Sequence, residues 1–155
     1  METSNTILDA VRNSYLATDM TEDELARLNA LATLKTFQQG ETVVRQFDRE
    51  ADLYIVLKGK VVINASNGDL VARIKAGGLF GEISLLDDRP RSATVVAESD
   101  VELVMFPAPT LRESLDANPS IAAKVYRNLS RTLCDRLRSA NVQIEALLLA
   151  SGMDF

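Results

Sequence analysis

Histidine and tryptophan are absent from the 155 residues of the chain, and there is one cysteine, Cys134. Without an imidazole, the chain has no Ser–His or Cys–His nucleophile pair and no histidine that could bind a metal ion. A single cysteine cannot form an internal disulfide, which fits a reducing, cytoplasmic compartment. Cys134 lies in a helical pattern, where we expect a structural, unreactive residue. These absences argue against an enzyme and against a metal site.

The chain also lacks a long hydrophobic run and a basic patch. No apolar run approaches the roughly 18–20 residues that span a bilayer, and no signal-peptide pattern opens the sequence. The 22 acidic and 17 basic residues give a net charge of -5. A field of that sign repels nucleic acid and anionic membranes. We therefore expect a cytoplasmic protein that binds neither nucleic acid nor membrane.

The hydrophobic pattern divides the chain into three regions of one α+β domain (1–155). Residues 1–32 and 107–155 have helical periodicity, whereas 33–106 contain short β-branched runs separated by Gly, Asn and Asp. About eight such runs predict an eight-stranded jelly-roll β-barrel, with N-terminal helices before it and a short and a long helix after it. The long helix of about thirty residues would reach roughly 45 Å, too far for this domain alone to cover.

Two local signals mark element boundaries. Thr21 is followed three residues later by Glu24, a capping box that predicts the start of a helix. Asn67-Gly68 stands between two apolar runs and predicts a tight β-hairpin.

One apolar stripe runs along the long helix, through Leu133, Leu137, Ala140, Ile144 and Leu147. Its 4-3-4-3 spacing is typical of a coiled-coil seam and predicts a homodimer formed through this helix. Packing of the same stripe on the chain's own barrel is the alternative.

Residues 77–95 combine several glycines with an acid, Glu82, and a guanidinium nine residues later, Arg91. Glycine-rich turns free backbone N–H groups for an anion, and the planar fork of an arginine grips two phosphate oxygens. A carboxylate can accept a hydrogen bond from a sugar hydroxyl. The alternative is two solvated surface charges beside glycines that only form turns.

The sequence "FGEISLL" followed by "PRSATV" resembles the phosphate-binding cassette of cyclic-nucleotide-binding domains, the family of catabolite activator protein and the regulatory subunits of protein kinase A. The resemblance covers nearly the whole chain, with the short helix as the family's hinge helix and the long one as its C-helix. It implies a sensor that binds cAMP and signals to an unknown downstream protein. No helix-turn-helix pattern follows the long helix, so we expect a sensor module that does not bind DNA by itself, either stand-alone or cut from a longer chain.

The resemblance also implies roles for the cassette residues. Glu82 accepts a hydrogen bond from the ribose 2′-hydroxyl, and Arg91 pairs with the cyclic phosphate. The backbone N–H groups of Ser84 and Ser92 assist Arg91, and Gly81 lets the backbone approach the sugar.

Apolar residues are implied as a wall beside the sugar and the base, namely Ile63, Val71, Ile74 and Ile83. Phe80 and Ala93 complete the implied set. A pure core role is the alternative for the wall.

The long helix supplies two further residues by the same resemblance. Arg136 would reach Glu82 as a bidentate partner, and Asn141 would meet the edge of the purine. For Asn141 the alternative is a polar seam residue that fixes the register of a dimer.

Other functions stay open beside the cAMP receptor. A cGMP-preferring sensor is one, because Ser92 carries a hydroxyl where the family uses threonine for guanine. A ligand-independent dimerisation or interaction module is another, although such members often lose the acid and the arginine that this chain retains. A cupin-type enzyme shares the jelly-roll architecture but commonly holds a metal with histidines, which are absent here.

Overall fold

The computed structural model describes residues 2–152, apart from the side chain of Ser4. Residues 1 and 153–155, with which the predicted domain begins and ends, lie outside the described part. The elements follow in this order: α1 (Glu2–Arg12), a 3-10 helix (Tyr15–Ala17), α2 (Glu22–Asn29), β1 (Thr33–Phe37), β2 (Thr42–Val44), β3 (Leu53–Lys58), β4 (Lys60–Asn64), β5 (Leu70–Lys75), β6 (Leu79–Phe80), α3 (Glu82–Asp87), β7 (Thr94–Ala97), β8 (Val101–Phe106), α4 (Ala108–Ala117) and α5 (Pro119–Ala150).

The strands form two antiparallel four-stranded sheets with the orders β1-β8-β3-β6 and β2-β7-β4-β5. Apart from the β4–β5 hairpin, the strands that pair in each sheet are distant in sequence, as in a jelly roll. The predicted α+β jelly roll is therefore confirmed. The Asn67-Gly68 turn joins β4 to β5 as predicted, with Gly68 at φ +86°.

Strand β3 is buried on both faces, so its side chains divide between two hydrophobic clusters. Tyr54 and Val56 pack inside the jelly roll, among residues of both sheets. Leu53 and Ile55 face the helices on the outside of the first sheet. Successive side chains of a strand point to opposite faces, so one strand joins the two clusters.

The predicted capping box at the start of α2 is present. The Glu24 backbone N–H donates to Thr21 Oγ1 at 3.2 Å, and the Thr21 N–H donates to Glu24 Oε1 at 3.0 Å. Polar contacts also attach the N-terminal segment to α5. Lys124 Nζ donates to Glu24 at 2.5 Å, and the buried Asn128 side chain donates to Leu16 O at 2.8 Å. The first half of α5 is thus held against the N-terminal helices.

Helix α5 is 32 residues long, and its buried side chains lie in its first half. Val125 and Leu129 are fully buried, whereas Leu137 is 63% and Leu147 is 70% exposed. Cys134, which was expected to be a structural residue, has an exposed side chain. It follows Leu129, beyond the buried part of α5. Among the described residues, no helix is both long enough and apolar enough to cross a membrane.

Candidate functional site

A cavity of about 820 Å³ lies between α3, α5 and strands of the second sheet. Its size is within the roughly 300–1,000 Å³ of small-molecule sites. The cavity is lined by most of the residues predicted for the ligand site: Ile63, Val71, Phe80, Gly81, Glu82, Ile83, Ser84, Arg91, Ser92, Ala93 and Arg136.

Two of the predicted residues do not line the cavity. Ile74 is 7% exposed and pairs across the sheet with Val61, so it belongs to the cluster inside the jelly roll. Asn141 is exposed on α5 and lies away from the lining. A helix turns about 100° per residue, which places Asn141 roughly 140° around the axis from Arg136. The polar lining residues from this part of α5 are Ser139 and Gln143 instead.

Gly81 brings the cassette backbone close to another segment. It precedes α3 at φ +90°, a conformation that favours glycine. A Cβ at this position would lie 2.5 Å from Asp52 O and 2.9 Å from Arg91 Nη1. The missing side chain therefore makes room for the protein's own carbonyl and guanidinium.

Arg91 is 4% exposed, and its guanidinium is held from three sides. Nη1 donates to Gly81 O at 2.8 Å, and Nη2 donates both to Asp52 O at 2.6 Å and to Glu50 Oε1 at 3.0 Å. Within the described residues, the buried Nε has no hydrogen-bond partner. A buried donor without a partner is costly, so this atom leaves capacity for an acceptor supplied by a ligand.

Glu82 is 1% exposed and opens helix α3. Arg136 Nη1 on α5 donates to Glu82 Oε1, and Arg136 Nη2 donates to Leu79 O. The predicted pair of Arg136 and Glu82 is present, but the prediction of a bidentate contact is wrong. One nitrogen of the guanidinium contacts the Glu82 carboxylate and the other contacts Leu79 O. A buried carboxylate needs such a partner, which attaches α5 to the cassette.

The sequence did not reveal the partners of Arg91. Glu50 and Asp52 stand just before β3, 41 and 39 residues from the arginine that they contact. The Asp52 side chain has a second role, because its Oδ1 accepts a hydrogen bond of 2.7 Å from the Ala108 N–H. It thereby caps the first turn of α4 from a distant loop. The only signal in the sequence was the pair of acidic residues Glu50 and Asp52 directly before an apolar strand.

Gln46 is another residue that the sequence did not single out. It lines the cavity, and its side-chain amide donates to Ser92 O at 3.3 Å.

Within residues 2–152, no three metal-ligating side chains come together.

Residues 34–118, more than half of the chain, match the family described as the cyclic nucleotide-binding domain. The chain belongs to the cyclic nucleotide-binding domain family. This family is regulatory rather than catalytic. In this chain, the predicted acid and arginine line the cavity between the cassette and α5.

Two curated relatives show how such a domain occurs in longer proteins. Glutaminase 1 of Bradyrhizobium diazoefficiens is 31% identical over 128 residues, which are 83% of this chain and 21% of that protein. The cyclic AMP receptor protein of Thermus thermophilus is 34% identical over 117 residues, 73% of this chain and 52% of that protein. The chain thus spans about a fifth of the first relative and about half of the second.

A solved structure supports the fold. The cyclic nucleotide-binding domain from Methylobacillus flagellatus superposes with a TM-score of 0.81 and is 24% identical. The match covers 94% of this chain and 84% of that one. The cyclic nucleotide-binding domain therefore accounts for nearly all described elements, including α5.

Proposed function

We propose that this cyclic nucleotide-binding domain is a receptor for cAMP. The observation that carries the proposal is the placement of two buried charged groups, Arg91 and Glu82, in the lining of one cavity. Arg91 binds the cyclic phosphate, to which its unpartnered Nε can donate. Glu82 accepts a hydrogen bond from the ribose 2′-hydroxyl with the carboxylate oxygen that Arg136 does not contact.

The remaining lining residues contact the phosphate, the sugar and the base of the ligand. The backbone N–H groups of Ser84 and Ser92 add donors near the phosphate. Ile63, Val71 and Ile83 form the apolar wall beside the sugar and the base. With a volume of about 820 Å³, the cavity has room for a nucleotide.

Preference for adenine is the finer part of the proposal. Ser92 occupies the position after the arginine where the resemblance associates threonine with guanine, and the 34% identical Thermus relative is named a cyclic AMP receptor protein. A polar group left unpaired by the wrong base costs about 1–3 kcal/mol. We expect cAMP to bind about tenfold more tightly than cGMP.

The module acts as a cytoplasmic homodimer through α5 and does not bind DNA by itself. Ile144 and Leu147 of the predicted seam are 53% and 70% exposed, which is the surface that a second copy would cover. The net charge of -5 disfavours a nucleic-acid partner. The ligand signal passes to a downstream protein of unknown identity.

Calorimetric titration with cAMP, cGMP and cyclic dinucleotides side by side tests the function. Thermal unfolding provides a second measurement, because ligand at 100 times its dissociation constant adds about 2.7 kcal/mol of stability. Binding of cAMP with a tenfold lead over cGMP is the expected result. Equal or tighter cGMP binding contradicts the adenine preference, and Ser92→Ala is then the first variant to make. No binding of any cyclic nucleotide would favour the ligand-independent interaction module.

A further inference from the structure

Both hydrogens of Arg91 Nη2 are already in use within the protein. One is donated to Glu50 Oε1 at 3.0 Å and the other to Asp52 O at 2.6 Å. A guanidinium has five N–H donors arranged in two forks, one formed by Nε with Nη2 and one by Nη1 with Nη2. Each fork therefore includes a nitrogen that has no free hydrogen here. To grip two oxygens of a phosphate at once, Arg91 has to release one of these two acceptors.

Asp52 O is the acceptor that stays. It is a backbone carbonyl directly before β3, and its residue is held from the other side by the hydrogen bond from Ala108 to Asp52 Oδ1. Gly81 approaches the same carbonyl so closely that an added Cβ would lie 2.5 Å from it. Moving Asp52 would disturb both the cassette and α4.

Glu50 is the acceptor that can leave. Its side chain lies in the loop between β2 and β3 and is 39% exposed, whereas the side chain of Arg91 is 4% exposed. Glu50 Oε1 also accepts a hydrogen bond from the Asp52 N–H at 3.0 Å, but a partly exposed carboxylate can rotate into water and exchange that bond for solvation, which costs less than moving a strand.

We propose that Glu50 is an internal counter-anion that the cyclic phosphate displaces from Arg91, and that it thereby lowers and tunes the affinity for cyclic nucleotides. The proposal rests on the function inferred above, since it needs an anionic ligand at Arg91. Glu50 does not line the cavity, so it acts on the ligand through the arginine and through its charge.

The surroundings of Glu50 make this competition dependent on pH. Arg91 faces it from the cassette, Asp52 from just before β3 and Tyr54 from within β3; the Tyr54 hydroxyl donates to Oε1 at 3.5 Å. Burial raises the pKa of Glu50 above its ordinary value, and Arg91 opposes that shift. Moving Glu50 into water removes both the burial that raises its pKa and the Arg91 charge that lowers it, and a bound phosphate adds a negative charge that raises it. Binding should therefore change the protonation of Glu50, so that the affinity for cAMP depends on pH.

The test compares cAMP titrations of wild type and Glu50→Gln. Glutamine keeps the size and an oxygen acceptor but removes the negative charge that opposes the phosphate. Two unit charges a few ångströms apart near a surface interact strongly enough that we expect cAMP to bind about tenfold more tightly to the variant. Glu102→Gln is the matched control. That side chain is 35% exposed, pairs with Lys58 at 3.3 Å and does not line the cavity, so the same change in net charge should leave affinity unchanged.

Proton exchange on binding provides the second measurement. Wild type is titrated with cAMP at several pH values in two buffers that differ in ionisation enthalpy, and the difference in heat gives the number of protons bound. We expect a proton exchange on binding by wild type that is lost in Glu50→Gln and kept in Glu102→Gln.

The outcomes separate this inference from the proposed function. Weaker or unchanged cAMP binding by Glu50→Gln would mean that Glu50 positions Arg91 or does nothing, and would overturn the inference while the receptor function stands. Tighter binding by both variants would assign the effect to net charge and overturn it too. If neither wild type nor Glu50→Gln binds any cyclic nucleotide, the receptor function falls, and the inference with it.

Discussion

Lys124 on α5 donates a hydrogen bond of 2.5 Å to the carboxylate of Glu24 on α2, 100 residues earlier in the chain. Glu24 is 8% exposed, and its carboxylate also accepts the Thr21 N–H of the capping box. The hydrogen bond from Lys124 is the main cause that lowers the pKa of Glu24 to about 2. One side chain thus stabilises the start of α2 and attaches it to α5.

Stability toward acid should depend on Glu24. Its folded-state pKa lies below the ordinary value of 4.5, so its contribution is present above pH 4.5 and is lost as the pH falls from 4.5 to about 2. Thermal unfolding between pH 6 and 2 should show a smaller acid-induced loss for Glu24→Gln, which retains a capping box. Asp23→Asn is the control, because Asp23 is 78% exposed and should leave the pH profile nearly unchanged. A Glu24→Gln profile parallel to that of wild type would contradict this prediction.

Arg91→Lys should weaken cAMP binding about tenfold or more. Lysine keeps the charge but loses the fork, and one ammonium cannot replace the guanidinium that reaches both Gly81 O and Asp52 O. A hydrogen bond to a charged group contributes about 1.5–3 kcal/mol. Arg89→Lys provides the control, since Arg89 is exposed and does not line the cavity. Wild-type affinity in Arg91→Lys would show that the cassette assignment is wrong.

Glu82→Gln should reduce discrimination between ribose and deoxyribose. Wild type should bind cAMP much more tightly than 2′-deoxy-cAMP, and the gap should shrink in the variant because a neutral amide is a weaker acceptor than a carboxylate. Titration of both proteins with both ligands measures the gap. An unchanged preference in Glu82→Gln would remove this residue from the sugar site.

Dimerisation should depend on the exposed half of α5. Leu137→Glu combined with Ile144→Glu places like charges along the predicted seam, where both side chains are more than half exposed, and should give monomers. Sedimentation at micromolar concentration measures this, and thermal unfolding should show that the domain still folds. A double variant that remains dimeric would place the interface elsewhere.

Local patterns along the chain were enough to predict much of the architecture. The capping box of Thr21 and Glu24 and the Asn67-Gly68 hairpin involve neighbours in sequence, so backbone preference alone specifies them. The acid and the arginine of the cassette, Glu82 and Arg91, lie on either side of a short helix and were predicted from the resemblance of the two short motifs around them to the family. The hydrogen-bonded groups of the capping box and of the hairpin are separated by few residues.

Only the tertiary structure decided which groups meet across the fold. Arg91 contacts Glu50 and Asp52 because the loop before β3 packs against the cassette, and no pattern within either segment specifies that meeting. The sequence also did not predict which face of α5 lies toward the cavity. Gln143 lines the cavity, whereas the predicted Asn141 does not. The rotation of α5 over the site depends on how the buried side chains of its first half pack against the rest of the domain, which no pattern within the helix specifies.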